Sequence, residues 1–355
     1  MSNKRSIPFG VVGCGHIGKR HAEMIRQNPS AELVAWCDVR SPEEAGIPKD
    51  SKVPFYNSME EMLEKHPEIE VVNICTPNGL HAAQATYALK NNRHVVCEKP
   101  MGLSAANCER VISLALEKSK QVFCVMQNRY SPPSVWIKDV IDRKLLGEIY
   151  MVQLNCFWNR DERYYRPGGK QGWKGRQDLD GGTLYTQFSH FIDIMYWLFG
   201  DITDIHGSFA DFTHPDSTDF EDSGIVQFRF HEGGMGTLQY STAVWDSNFE
   251  SSLTIIGSQG TVKIGGQYMG EVTHCHIKDY EMPELDAPLP PNDYGSYKGS
   301  AANHHFVIEN VVDTLNGLTS VTTNAMEGMK VVDIIERIYA VRNKSFNKEK
   351  QSSYA

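Results

Sequence analysis

Ile7-Pro8-Phe9-Gly10-Val11-Val12-Gly13-Cys14-Gly15-His16-Ile17-Gly18 carries an apolar run straight into three glycines spaced G-x-G-x-x-G. The run reads as a buried strand, and the spacing predicts a helix over 19–27. In that context the first glycine makes the turn and the second lets a pyrophosphate approach the backbone. The third lets the helix sit against the strand, and the helix N-terminus supplies partial positive charge. A second apolar strand over 32–37 ends at Asp38, twenty residues after Gly18. An acid there accepts the two ribose hydroxyls of an adenosine and repels a 2′-phosphate. NAD is therefore expected over NADP, with Arg40 close enough to keep the second cofactor in view. Gly13, Gly15, His16, Ile17, Gly18 and Asp38 are the first cofactor-binding candidates.

Working outward, the alternation continues: helix 58–65, strand 71–75, helix 81–91, strand 95–97, helix 105–119 and strand 122–126. This is the pattern of a doubly wound α/β sheet, in which ligands gather beyond the carboxyl ends of the strands. Thr76, Asn78, Lys99 and Gln127 occupy such ends with Asp38, so all five are expected in one crevice. His81, at a helix start, reads as a cap or cofactor-loop contact rather than a base. The strand end Val95-Val96-Cys97-Glu98-Lys99-Pro100-Met101 places an amine beside a carboxylate and ahead of a proline, which stops the segment becoming helix. Either this is a surface turn or Lys99 is a fixed charge or proton-transfer group near the nicotinamide end.

After Gln127 the texture changes. A helix over 135–143 leads to longer alternating strands such as 150–158, 225–231, 235–243, 252–256 and 261–264. That pattern predicts an α+β domain on a mostly antiparallel open sheet. Residues 279–294 read as an extended loop, 325–342 as an amphipathic helix and 343–355 as a frayed tail. The expected domains are 1–127, 128–342 and the tail. Within the second, Asp180-Gly181-Gly182 opens a predicted helix on which Thr186 and His190 share a face at i and i+4, with Asp193 three residues on to orient the ring. From the residues alone a core histidine is the plainer reading of His190. Residues 160–176 hold six basic side chains (Arg160, Arg163, Arg166, Lys170, Lys174, Arg176) against two acids, with Tyr164, Tyr165 and Trp173 interleaved. Such a loop suits an anionic ligand with a flat base, a subunit interface or a solvated surface.

Composition narrows the classes. The 355 residues are 41% hydrophobic and 22% charged, typical of a globular protein, and the length favours two domains. A net charge of −9 argues against nucleic acid and anionic membranes as partners. No apolar run is long enough to span a bilayer and Met1-Ser2-Asn3-Lys4-Arg5 lacks a signal core, so a cytoplasmic location is expected. The eight cysteines form no close pairs and read as reduced core residues. No metal site is expected: His274-Cys275-His276 is the nearest cluster, and successive strand residues point to opposite faces.

Taken together, the glycine motif, Glu98-Lys99-Pro100, Gly181-Gly182 with His190 eight residues after Gly182, and the C-terminal helix resemble the glucose–fructose oxidoreductase / inositol dehydrogenase (Gfo/Idh/MocA) family over nearly the full length. The resemblance implies a Rossmann domain followed by a mostly antiparallel domain whose open face serves oligomerisation, hence a homodimer or homotetramer. It also implies hydride transfer between a sugar carbinol and NAD(P), with Lys99 and His190 as catalytic residues. Thr186 departs from the pattern, because many members carry Asp there. Gln127-Asn128-Arg129, Arg163-Tyr164-Tyr165-Arg166-Pro167 and Trp173-Lys174-Gly175 most resemble the UDP-N-acetylglucosaminuronate 3-dehydrogenases of surface-polysaccharide biosynthesis, where Asn is frequent at the Thr186 position. That likeness implies catalytic roles for Lys99, His190 and Thr186. It implies cofactor contacts by Glu98 and Gln127, and substrate contacts by Arg129, Arg163, Tyr164, Tyr165, Arg166 and Trp173. Three other readings stay open: a dehydrogenase of a free sugar or inositol, an NAD-dependent glycosidase, and a non-catalytic NAD-binding protein.

Overall fold

The apolar runs of the first half become six parallel strands in the computed structural model, which describes residues 4–287, 289–293 and 298–345. They are β1 (Ile7–Val12), β2 (Ala31–Cys37), β3 (Phe55–Tyr56), β4 (Val71–Ile74), β5 (His94–Cys97) and β6 (Val122–Cys124), in the order β3-β2-β1-β4-β5-β6. β4 and most of β5 are buried residue by residue, as strands covered on both faces must be. The helices between them are α1 (His16–Gln27), α2 (Pro42–Ala45), α3 (Met59–Lys65), α4 (His81–Lys90) and α5 (Ala105–Glu117). Helix α1 starts at His16 rather than residue 19, so Gly18 lies inside it. A Cβ on Gly18 would fall 1.8 Å from the Gly13 carbonyl oxygen, which is why only glycine lets this helix lie so close.

Contacts group the described residues of Met1–Met126 with those of Asn303–Val332 as one unit, and Gln127–Ala302 with Asp333 onward as another. This corrects the expected assignment of 128–342 to the second domain. The physical reason lies at the sheet edge. The Cys124 amide donates to the Thr323 carbonyl at 2.9 Å and Phe123 bridges Asn324, so the returning chain covers β6. Helix α9 (His304–Leu315) packs on α1 in the same unit.

The second unit is built on seven strands: β7 (Ile149–Phe157), β8 (Ile202–Ala210), β9 (Ser223–Phe230), β10 (Met235–Ser241), β11 (Glu250–Gly257), β12 (Gly260–Gly265) and β13 (Glu271–Ile277). Their order is β13-β12-β11-β7-β10-β9-β8, antiparallel except where β10 pairs β7. Strand β9 alternates buried and exposed along its length, so one face is covered and the other is not. Helices α6 (Pro132–Asp142), α7 (Glu162–Tyr165) and α8 (Ser189–Phe199) complete this part, with α10 (Ala325–Ser345) running across the division between the units. Of the expected loop over 279–294, Pro291–Asp293 is a short strand paired with Lys298–Ala301, while residues 288 and 294 lie outside the described residues. Of the expected tail, 343–345 continue α10 and 346–355 lie outside the described residues.

All eight cysteines are unbridged, and seven are buried. Among the described residues, no helix is long and apolar enough to cross a membrane.

Candidate functional site

In the first unit the glycine turn is set by backbone geometry. Gly13 has φ +93°, and a Cβ on it would meet the Cys75 carbonyl at 2.6 Å. Gly15 differs: a Cβ there would meet nothing within 4 Å. The space in front of the second glycine is therefore open at the N-terminus of α1, as a pyrophosphate requires. Beside it, Asp38 is buried and accepts from the Cys14 amide at 2.7 Å. Arg40 holds both carboxylate oxygens, Nε to Oδ1 at 3.0 Å and Nη2 to Oδ2 at 2.9 Å. Burial pushes the Asp38 carboxyl up, but the Arg40 and Cys14 hydrogen bonds more than offset it and leave the group below the usual range. The open cradle and the ionised acid together fit an NAD adenosine diphosphate. Asp38, Thr76, Asn78 and Lys99 follow the ends of β2, β4 and β5 in one sheet, whereas Gln127 clusters with the other unit.

His81 lies in this unit, against the loops after β4 and β5. Its ring is buried, with Nδ1 2.7 Å from the Pro100 carbonyl and Nε2 2.8 Å from the Thr76 carbonyl. Glu98 is buried too. Its Oε1 lies 2.9 Å from His21 Nε2 and 3.6 Å from His304 Nε2, and its Oε2 accepts from the Lys99 amide at 3.2 Å. These three side chains are of metal-ligating type with ligand atoms within 4.8 Å of one another. The 2.9 Å contact is nonetheless a direct hydrogen bond, closer than the roughly 3.3 Å that tetrahedral zinc bonds of ~2.0–2.1 Å impose on two ligands.

The second unit gathers a different set. Asp180 is buried, and its Oδ2 accepts from the Gly175 amide at 2.7 Å while its Oδ1 accepts from the Thr186 hydroxyl. Gly181 (φ +88°) and Gly182 (φ +137°) turn the chain, and the Leu184 amide donates to the Tyr339 hydroxyl at 2.9 Å. Residues Leu184–Phe188 then form a π-helical turn before α8. Across this turn the Thr186 hydroxyl donates to the Asp180 carboxylate, and His190 Nε2 lies 3.3 Å from Gln127 Nε2. Asp193 follows three residues after His190. It pairs with Arg129 in a bidentate bridge, 2.8 Å and 2.6 Å, with both partners buried.

The basic loop sorts itself by burial. Arg163 is exposed and bound to Asp161, and Arg166 donates to Gln171 and to the Asp216 carbonyl. Tyr165 is buried edge-on against His214. Trp173 is half-buried. Tyr164 instead stands between cations: Lys174 Nζ lies 3.6 Å and the Arg160 guanidinium 5.1 Å from its ring centre. Arg160 is buried and donates to Gln187 at 2.8 Å, and Gln187 donates to the Tyr164 hydroxyl at 2.8 Å. Burial, with Arg160 adding to it, pulls the Lys174 ammonium down to about 8. Arg160 and Lys174 belong to the basic loop already singled out in the sequence, whereas Gln187 and Asp180 were left without a role of their own. Of these only Asp180 carried a local signal, an acid placed directly before two glycines.

Comparison with known proteins agrees with this architecture. Residues 7–126 match the family model described as an oxidoreductase family, NAD-binding Rossmann fold, and 135–263 match the C-terminal domain of the same family. The inositol 2-dehydrogenase of Salmonella typhimurium is 31% identical over 200 residues, 55% of each chain. The match thus spans about half the length of that relative. Among solved structures, the WlbA dehydrogenase of Bordetella pertussis in complex with NADH and UDP-GlcNAcA is 29% identical with a TM-score of 0.84, covering 96% of this chain and 98% of that one. The WlbA dehydrogenase of Chromobacterium violaceum, with the same two ligands, is 26% identical with a TM-score of 0.82, covering 96% and 95%. With both domains of one family matched across most of its length, the chain belongs to the Gfo/Idh/MocA oxidoreductases, whose N-terminal domain is an NAD-binding Rossmann fold.

Proposed function

We propose that this protein oxidises a secondary hydroxyl of a sugar with NAD, at C3 of a UDP-linked N-acetylhexosaminuronic acid used in surface-polysaccharide synthesis. The carrying observation is the likeness, over 96% of the chain, to WlbA dehydrogenases crystallised with NADH and UDP-GlcNAcA. The half-buried Lys174 on Tyr164, backed by Arg160, supports an anionic substrate. When bound, NAD supplies the hydride acceptor. Lys99 and His190 share the remaining work: one takes the hydroxyl proton as the carbon loses hydride, and the other stabilises the developing alkoxide, leaving a ketone. In place of the frequent Asp, Thr186 brings a hydroxyl backed by the Asp180 carboxylate. The uncovered face of the second sheet exposes Tyr150, Met151, Ile225 and Met235, which supports assembly as a homodimer or homotetramer.

The test is a thermal-shift titration with NAD, NADP, UDP, UDP-GlcNAcA and myo-inositol, followed by an NADH assay with whichever ligands bind. Stabilisation by UDP and more by the uronate, with NADH formed, is the expected result. Stabilisation by NAD and myo-inositol with no response to UDP would replace this reading with inositol oxidation, the second reading, which the 31% identity to inositol 2-dehydrogenase favours.

A further inference from the structure

Lys99 is half-buried between two residues whose fixation is unusual. Glu98 before it and Pro100 after it are buried, and each is gripped by an imidazole from elsewhere in the first unit. On one side the Glu98 carboxylate accepts the Lys99 amide and faces His21, whose other ring nitrogen lies 2.8 Å from the Asn73 amide, and His304. On the other side the His81 ring lies between the Pro100 and Thr76 carbonyls, filling the space between the turn after β5 and the loop after β4. A neutral imidazole donates to one of those oxygens, and a protonated one to both.

Stability does not call for this arrangement. Well-packed apolar side chains of similar volume serve a core as well as a buried ion cluster or better. Burial pushes the Glu98 carboxyl up, but hydrogen bonds and charge from His21 and His304 outweigh it and hold the group well below the usual range. A permanent carboxylate is thus kept in the core, with its second oxygen on the one backbone N–H that sets the direction of Lys99.

We infer that Glu98 and His81 are positioning residues that hold Lys99 by the residue on either side of it in the chain. The inference rests on the reading of Lys99 as a proton-handling group, and the experiment separates the two. Glu98→Gln, His81→Ala and His81→Gln are compared with Lys99→Met for kcat with UDP-GlcNAcA and NAD, and for NAD affinity by calorimetry. The expected result is a kcat 10- to 100-fold lower in Glu98→Gln and His81→Ala, with any loss of NAD affinity smaller than the loss of kcat. His81→Gln, which keeps one donor, should recover part of the loss. Amide hydrogen exchange over 97–102 in the NAD-free protein gives a measure independent of substrate, expected to rise at least tenfold in the same two variants. Normal kcat in Glu98→Gln and His81→Ala beside an inactive Lys99→Met would overturn the inference alone, as would unchanged exchange over 97–102. Full turnover by Lys99→Met would instead overturn the role of Lys99.

Discussion

The candidate residues of the two units are built from different materials. In the first unit the decisive features belong to the backbone: a glycine with φ +93°, an open cradle at Gly15, and side chains set by the ends of parallel strands. In the second they belong to long side chains, and most of these are already engaged. Arg129 is paired with Asp193, Arg163 with Asp161, and Arg160 with Gln187. Backbone geometry restricts which residue can stand at a position, so it leaves a mark on the sequence. Partnership between side chains distant along the chain leaves almost none.

That contrast can be attacked from both sides. The largest effect belongs to Lys99→Met, expected to lower kcat by about 10²–10⁴ while sparing NAD binding, measured by NADH formation and calorimetry. Next, Arg129→Met strands the Asp193 carboxylate in the core and should cost about 3–5 kcal/mol in urea unfolding, whatever the cofactor present. Within the backbone-built unit, Gly18→Ala should destabilise by about 1–3 kcal/mol through the clash with the Gly13 carbonyl. Gly15→Ala should leave the melting temperature alone and weaken NAD. If the two alanines behave alike, the cradle at Gly15 is not where the cofactor rests. For the unit built from side chains, Lys174 loses its charge as pH rises through about 8. The KM for the uronate should therefore climb above that pH in the native protein and stay flat in Lys174→Arg. The smallest effect is acid sensitivity. Burial lowers the pKa of His81, His304 and His94, the last to about 4. These groups bind protons more readily when unfolded, so the stability they confer is complete above about pH 6.5 and is lost as pH falls toward 4. A melting temperature that instead rises over that interval would contradict neutral histidines in the folded state.

The sheet of the first unit was legible because G-x-G-x-x-G with Asp38 can be satisfied by few backbones. The alternating strands of β9 and β10 were legible because one of their faces is dry. The fate of residues 303–332 was not, since nothing in a helix pattern records which sheet it will join. The π turn at Leu184–Phe188 was not legible either. A π turn adds one residue to the repeat without changing composition, so the pattern over 184–190 reads as ordinary α-helix. Tyr165 and Arg129 entered as ligand contacts through the family likeness, and nothing local in the sequence records that both are buried against partners, His214 and Asp193, far along the chain.

The pairing of β6 with Thr323 and Asn324 has a consequence for how the protein is made. As the chain leaves the ribosome, all six strands of the first sheet are available long before the segment that closes its edge. Until then β6 offers unpaired amides and carbonyls to any neighbouring strand, and Glu98 lacks one of its two imidazoles, since His304 is still to come. A chain stopped short of residue 323 would therefore carry the six-stranded sheet with its β6 edge uncovered, open to pairing with a neighbouring strand.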